Sequence, residues 1–270
     1  MSTTAPLTPP FFTRYGISRA REPRSPLVIE PYSEVCHGGA LRPTVLAAAV
    51  DLVGSFFARE VAGTDVLLTT DLSVRAPARP APRRLTAQGR PLRVGRSVIT
   101  SEAVVEVDGA PAAYGQTTFR RVARPASAPV PPGPSALAVP EEFVCVPLER
   151  PLLQEAGVEV CDPRRGHVEV ALRDALLNAE GGMQGALVAL LVEAAALALA
   201  DASSPVSQIV TELDLRYLAA GRAGPIVSDA HWIAGPEGEV MRVTLRDRGN
   251  DDRLTTAALA RVAPAPVPLG

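Results

Sequence analysis

Two carboxylates sit where an apolar chain has no evident use for them. From Gly181 to Ala200, GGMQGALVALLVEAAALALA, the one ionisable side chain is Glu193; from Thr44 to Phe57, TVLAAAVDLVGSFF, it is Asp51. An ionised acid among apolar side chains costs several kcal/mol unless a partner satisfies it or a reaction uses it. Desolvation also raises its basicity toward the range useful at neutral pH, which makes Asp51 and Glu193 candidate bases or nucleophiles. A glycine pair precedes each acid: Gly38-Gly39 after His37, and Gly181-Gly182 with Gly185 close behind. Backbone N–H groups at a helix start, with no Cβ in the way, can donate to a carbonyl oxygen as its charge develops. Asn178 and Gln184 are polar side chains of the same loop. His167 and His231 have no companions at ligand spacing, so no metal is assigned, and no GxSxG elbow is present.

The elements that must position these residues come in two sets. GGALRPTVLAAAVD (38–51) lies over GGMQGALVALLVE (181–193) with a one-residue gap, TTDLSVR (69–75) over VTELDLR (210–216), and TTFRRV (117–122) over AALARV (257–262). The offset stays between 140 and 142, so the chain is read as a duplicated unit. Each unit predicts a Gly-Gly turn, a helix of four to five turns and then four strands. Pro43 stands where a first-turn proline is tolerated, and Asp108-Gly109 is a hairpin signal. A helix without a polar face requires the sheet to curve around it, which makes the fold class α+β. The expected boundaries are an N-terminal arm over 1–26, a first unit over 27–123, a Pro-rich linker over 124–147, a second unit over 148–264 and a tail over 265–270.

Bulk properties narrow the function classes. The 270 residues carry a formal net charge of −2 with both signs mixed along the chain, which excludes a nucleic-acid face and a polybasic membrane patch. All 27 basic residues are arginine. The three cysteines form no CxxC pair and no even-numbered framework, which fits a reducing cytoplasm. The apolar run around Glu193 is shorter than a membrane span needs, so it is expected to be a buried helix.

A Gly-Gly helix start with a lone acid two to three turns in resembles the hotdog-fold thioesterases, and the duplication resembles their double-hotdog form. The similarity is to the phenylacetyl-CoA thioesterase-like branch, in which an Asn is followed six residues later by a His and nine residues after that by an acid. Asn178, Gln184 and Glu193 stand at those spacings, with Gln in place of His and Ala186 in place of a Gly. In the first unit His37-Gly38-Gly39 is present but begins fourteen residues before Asp51, which puts Arg42 where the His would be and Cys36 where the Asn would be. The resemblance implies a tandem double hotdog that hydrolyses an acyl thioester, delivered as acyl-CoA or on an acyl-carrier protein. It implies no cofactor beyond the coenzyme A of the substrate, and a homodimer of the double-unit chain. It further implies pockets that take the acid from one unit and the loop from the other: Asp51 facing Asn178 and Gln184, and Glu193 facing His37, Gly38 and Gly39. The Asp51 pocket is favoured because its loop keeps the spacing. Arg96, in VGRSV, resembles the arginine near the coenzyme A phosphates, whereas the matching second-unit segment carries Glu237 and Glu239. Whether the acid activates water or attacks directly stays open. The alternative reading is a non-hydrolytic hotdog protein, either a dehydratase- or hydratase-like enzyme or an acyl-thioester-binding module.

Overall fold

The computed structural model describes residues 11–20, 25–63, 65–123, 142–178, 180–235 and 238–266. In chain order the elements are β1 (Ile17–Ser18), β2 (Leu27–Ile29), β3 (Cys36–His37), β4 (Ala40–Leu41), α1 (Pro43–Ala62), β5 (Val66–Arg75), β6 (Leu85–Val94), β7 (Val98–Val107) and β8 (Ala110–Val122). There follow α2 (Leu152–Ala156), β9 (Val158–Asp162), β10 (His167–Val170), α3 (Gly185–Ser203), β11 (Gln208–Tyr217), β12 (Ile226–Trp232), β13 (Val240–Asp247) and β14 (Arg253–Pro264). The eight long strands and two long helices are those the repeat predicts. The short strands β1, β2, β9 and β10 are additions, too brief to show a period of two.

Twelve of the described strands form one sheet, in the order β1-β2-β6-β7-β8-β5-β11-β14-β13-β12-β10-β9. α1 packs on β5 to β8, α3 on β10 to β14, and the helices also touch each other. Almost every side chain of α3 from Leu187 to Ala200 is buried. The helix is apolar enough to cross a membrane by length and composition, yet 78% of its apolar window lies inside the protein, as in a core helix. Asp108 (φ 51°) and Gly109 (φ 79°) make the expected tight hairpin between β7 and β8.

The units meet where β5 pairs antiparallel with β11. Ser73 opposes Asp214, which is its own equivalent at an offset of 141, so a local two-fold axis passes between them. Equivalent ion pairs flank it, Arg75 to Glu212 at 2.9 Å and Arg216 to Asp71 at 3.1 Å. Register corrects one block of the repeat. Thr69 opposes Phe119 and its equivalent Val210 opposes Val262, so β8 and β14 correspond at an offset of 143 rather than 140.

Part of the predicted arm and linker belongs to the first unit. β1 and β2 extend the sheet beyond β6, Tyr15 and Ile17 are fully buried, and Phe143 bonds back to Arg19 through both backbone groups. These aromatic and β-branched residues cover the end of the core. The remainder of residues 1–26, 124–147 and 265–270 that falls at 1–10, 21–24, 124–141 and 267–270 lies outside the described residues.

Candidate active site

Asp51 lies in the middle of α1, eight residues after its first residue Pro43, and points to the seam between the units. Its Oδ1 accepts hydrogen bonds from the hydroxyls of Thr69 (3.0 Å) and Thr117 (3.5 Å). Thr69 reaches it because of a β-bulge. Leu72 and Val74 face the core, so strict alternation would turn Thr70 inward, but the register slip between Thr69 and Asp71 re-aims Thr69 instead. Burial pushes the Asp51 carboxyl up to about 6, against the lowering effect of the two threonine hydroxyls and the charge of Arg59. Oδ2 accepts no hydrogen bond from the described residues. It faces the first residue of α3: a Cβ placed on Gly185 would lie 3.9 Å from it and 3.6 Å from the Tyr217 hydroxyl. That hydroxyl donates to the Gly185 carbonyl at 3.2 Å, and burial followed by the Asp51 charge holds it well above the usual phenol range.

The loop before α3 is a small hairpin that presents the helix start. Leu177 bridges Met183, and the Asn178 N–H donates to the Gly182 carbonyl at 2.7 Å. Asn178 is exposed, and its Oδ1 accepts from the N–H groups of Glu180 and Gly182, both at 3.0 Å. Asn178 therefore holds the turn. Gly181 has φ 70°, within reach of the Arg222 guanidinium, and Gly182 is buried against Ala220. Gln184 is the N-cap residue, and its Nε2 donates to the carbonyls of Ala175 and Leu177 while its Oε1 is buried without a partner. The Leu187 and Val188 N–H groups bond to the Gln184 carbonyl; those of Gly185 and Ala186 have no acceptor among the described residues. Both residues are partly exposed. Among the described residues, two free amides at the positive end of a helix thus lie beside a carboxylate oxygen without a donor.

The second acid is placed by the same symmetry and treated differently. Glu193 is eight residues into α3 and faces the start of α1. It is 1% exposed and fully engaged: Arg42 Nη1 at 2.7 Å on Oε1, and Thr44 Oγ1 (2.5 Å) and N–H (3.2 Å) on Oε2. Arg42 caps α1 as Gln184 caps α3, and Pro43 has no N–H to offer. Pro43 and Thr44, the equivalents of Gly185 and Ala186, are both buried. The positions of Thr69 and Thr117 are held in this half by Val210 and Ala260. The two halves thus differ in how the acid is held: among the described residues Asp51 keeps one oxygen without a donor, whereas an arginine, a hydroxyl and a backbone amide engage both oxygens of Glu193.

The sequence matches no protein-family model and no curated protein. The architecture does match solved structures. A tesB protein of Mycobacterium avium subsp. paratuberculosis is 12% identical with a TM-score of 0.60, over 95% of this chain and 98% of its own. A hot dog fold protein of Alicyclobacillus acidocaldarius is 16% identical with a TM-score of 0.57, over 97% and 100%. A 12:0-ACP thioesterase of Umbellularia californica is 11% identical with a TM-score of 0.54, over 88% and 96%. The chain has the hotdog fold. The same fold occurs twice in it, so the two helices are the paired centres of a double hotdog.

Within the double hotdog, several expected site residues take other places. His37 opposes Ala40 across the β3–β4 hairpin, whose turn is Gly38 (φ 56°) and Gly39 (φ 76°). This pair is a two-residue hairpin turn placed before the helix and offers no amide at its start. The hairpin spans Cys36–Leu41 where the second unit spans Leu177–Met183. The second unit's loop is one residue longer, so His37 rather than Cys36 takes the position of Asn178. The His37 Nε2 is buried without a partner, and burial and then the Arg42 charge lower the ring's affinity for a proton. Arg96 is exposed in the turn between β6 and β7; Arg121 joins that turn to the C-terminal end of α1 through Ser97 and Ala62, roughly 16 Å along the helix from Asp51. Glu239 pairs with Arg261 at 2.7 Å, and Glu237 lies outside the described residues. The sequence by itself does not single out Thr69, Thr117, Tyr217 or Thr44, and it gives Arg42, at the position of the His, no partner. The signal available for Thr69 was its replacement by Val210 at the equivalent position of the repeat.

Proposed function

We propose that this double hotdog hydrolyses an acyl thioester, carried by coenzyme A or an acyl-carrier protein, at one pocket per chain, where Asp51 of the first unit meets the start of α3 in the second. The observation that carries this reading is the contrast between the two acids. The carboxylate at 193 is consumed by three donors, whereas Asp51 keeps Oδ2 free beside the unpaired N–H groups of Gly185 and Ala186. A thioester carbonyl oxygen set on those amides gains stabilisation as it becomes an oxyanion, aided by the helix dipole. Asp51, with its carboxyl near 6, is ionised at neutral pH yet is a stronger base than an ordinary carboxylate. It takes a proton from a water as that water attacks the carbonyl carbon, and returns the proton to the thiolate when the C–S bond breaks. Thr69 and Thr117 hold Oδ1, so the free lone pairs are those of Oδ2. Gln184 positions the helix start, and Arg96, exposed at its turn, is available to a phosphate of the coenzyme. Three unpaired cysteines suit a reducing compartment.

The test is free-thiol release from acyl-CoAs of graded length, and from acyl-carrier protein, by wild type and by Asp51→Asn. Loss of a base at this step lowers turnover by about 10²–10⁴-fold. An active preparation in which Asp51→Asn stays within a few-fold of wild type would remove Asp51 from the chemistry. Binding of acyl thioesters with no release from any of them would favour the binding-module reading.

A further inference from the structure

The outer face of the second unit's sheet carries a cluster that plays no part in the pocket. Edge strand β9 pairs Asp162 with His167 and Val160 with Val168, and the register slip between these pairs leaves Cys161 as an extra residue. A bulge of this kind turns a side chain away from the face that alternation would give it. One donor atom from each of Cys161, His167 and Glu169 lies within 4.8 Å of the other two. His167 and Glu169 are two apart on β10 and share a face, while Val168 between them is fully buried and anchors the strand. The imidazole is already oriented. Its Nδ1 lies 2.7 Å from the Ser228 carbonyl oxygen, which can only accept, so Nδ1 carries the proton and Nε2 presents a lone pair. Cys161 is an exposed free thiol whose one bond, to the Glu159 carbonyl, is long at 3.9 Å.

We propose that Cys161, His167 and Glu169 bind a divalent transition-metal ion, Zn²⁺ before others, which clamps edge strand β9 to β10. Sulfur, imidazole nitrogen and carboxylate oxygen together are the ligand types of Zn²⁺, and a thiol has no place in the oxygen shells of Ca²⁺ or Mg²⁺. A thiolate and a carboxylate balance the two positive charges of the ion, and Glu159, opposite Glu169 in register, adds a further negative group. Tetrahedral bonds of about 2.0–2.3 Å need the three donors to close by roughly 1 Å, a side-chain adjustment. A fourth position stays open to water. An ion there would tie down β9, which among the described strands pairs with β10 alone.

The test is titration of the full, reduced chain with Co²⁺, followed by Zn²⁺. The expected result is a thiolate-to-cobalt charge-transfer band that saturates at one equivalent and is abolished by Zn²⁺. Cys161→Ser should lose the band although Cys36 and Cys145 remain, and His167→Gln and Glu169→Gln should each weaken binding by at least about tenfold. The changed side chains are partly or fully exposed, and circular dichroism of each variant establishes that it is folded. Asp51→Asn should bind like wild type, which separates this site from the pocket. No saturable band, a band that persists in Cys161→Ser, or unchanged affinity in both His167→Gln and Glu169→Gln would overturn the assignment.

Discussion

Asp51 and Glu193 show how a carboxylate at one repeat position acquires two environments. The difference lies in donors: two threonine hydroxyls on one oxygen of Asp51, against an arginine, a hydroxyl and a backbone amide on Glu193. Folding raises the Asp51 carboxyl from 3.8 to about 6, so the native state holds this proton more tightly than the unfolded chain does. Its favourable contribution is complete below about pH 4 and is lost as pH rises through about 6. Asp51→Asn should therefore be more stable than wild type at pH 8 by about 3 kcal/mol, with the gap closing near pH 4, as urea melts at the two pH values would show. In the proposed hydrolysis the same acid sets the pH profile of turnover. The rate should rise through an acid limb near pH 6 as Asp51 ionises. Thr69→Val, which copies Val210 of the other half, removes a bond to the ionised form and should move that limb up by about one pH unit, measured as kcat/KM against pH.

At the scale of elements, the site exists because α1 lies close on its sheet and α3 begins beside it. A Cβ on Gly54 would come within 2.2 Å of Thr117 Cγ2 and 3.0 Å of the Phe119 ring. Gly54→Ala should cost about 1–3 kcal/mol in thermal or urea unfolding and also shift the pH profile, because the displaced side chain is one that holds Asp51. Gly185→Ala tests the opposite case. A Cβ there meets nothing nearer than 3.6 Å, so the fold accommodates it, but it narrows the approach to the free amides. Unchanged or slightly raised stability with a clear fall in kcat/KM is the expected outcome; a fall in stability without a fall in rate would detach the α3 start from catalysis.

For the molecule as a whole, fusion of two units in one chain lets the halves diverge. The Arg42–Glu193 pair occupies the position equivalent to Asp51 and the start of α3, 2.7 Å apart and nearly free of solvent. Breaking a buried pair from one side leaves an unmatched charge, so Glu193→Gln should cost about 3–5 kcal/mol in urea unfolding. The double replacement Arg42→Met with Glu193→Leu should recover most of that loss, since apolar groups of similar volume replace buried ion pairs at little cost. Turnover per folded molecule should survive both, because the proposed pocket takes its acid from α1. If Glu193→Gln remained as stable as wild type but lost turnover, the roles of the two halves would have to be exchanged.

The linear sequence determined the duplication, the long helices and strands, the equivalence of Ser73 and Asp214 at an offset of 141, and the two acids that needed explaining. Those features rest on local rules of periodicity, turn chemistry and the cost of burying charge, which act on neighbours in the chain. Only the tertiary structure decided which acid stays free. Arg42 and Thr44 reach Glu193 across about 150 residues, Thr69 faces Asp51 because of a bulge, and Gly38-Gly39 closes a hairpin where a helix start was expected. Cys161, His167 and Glu169 likewise meet through a register slip that no spacing announces. A carboxylate's role depends on the donors that surround it in space, and a change of register by one residue alters those donors without altering the pattern that predicts the strand.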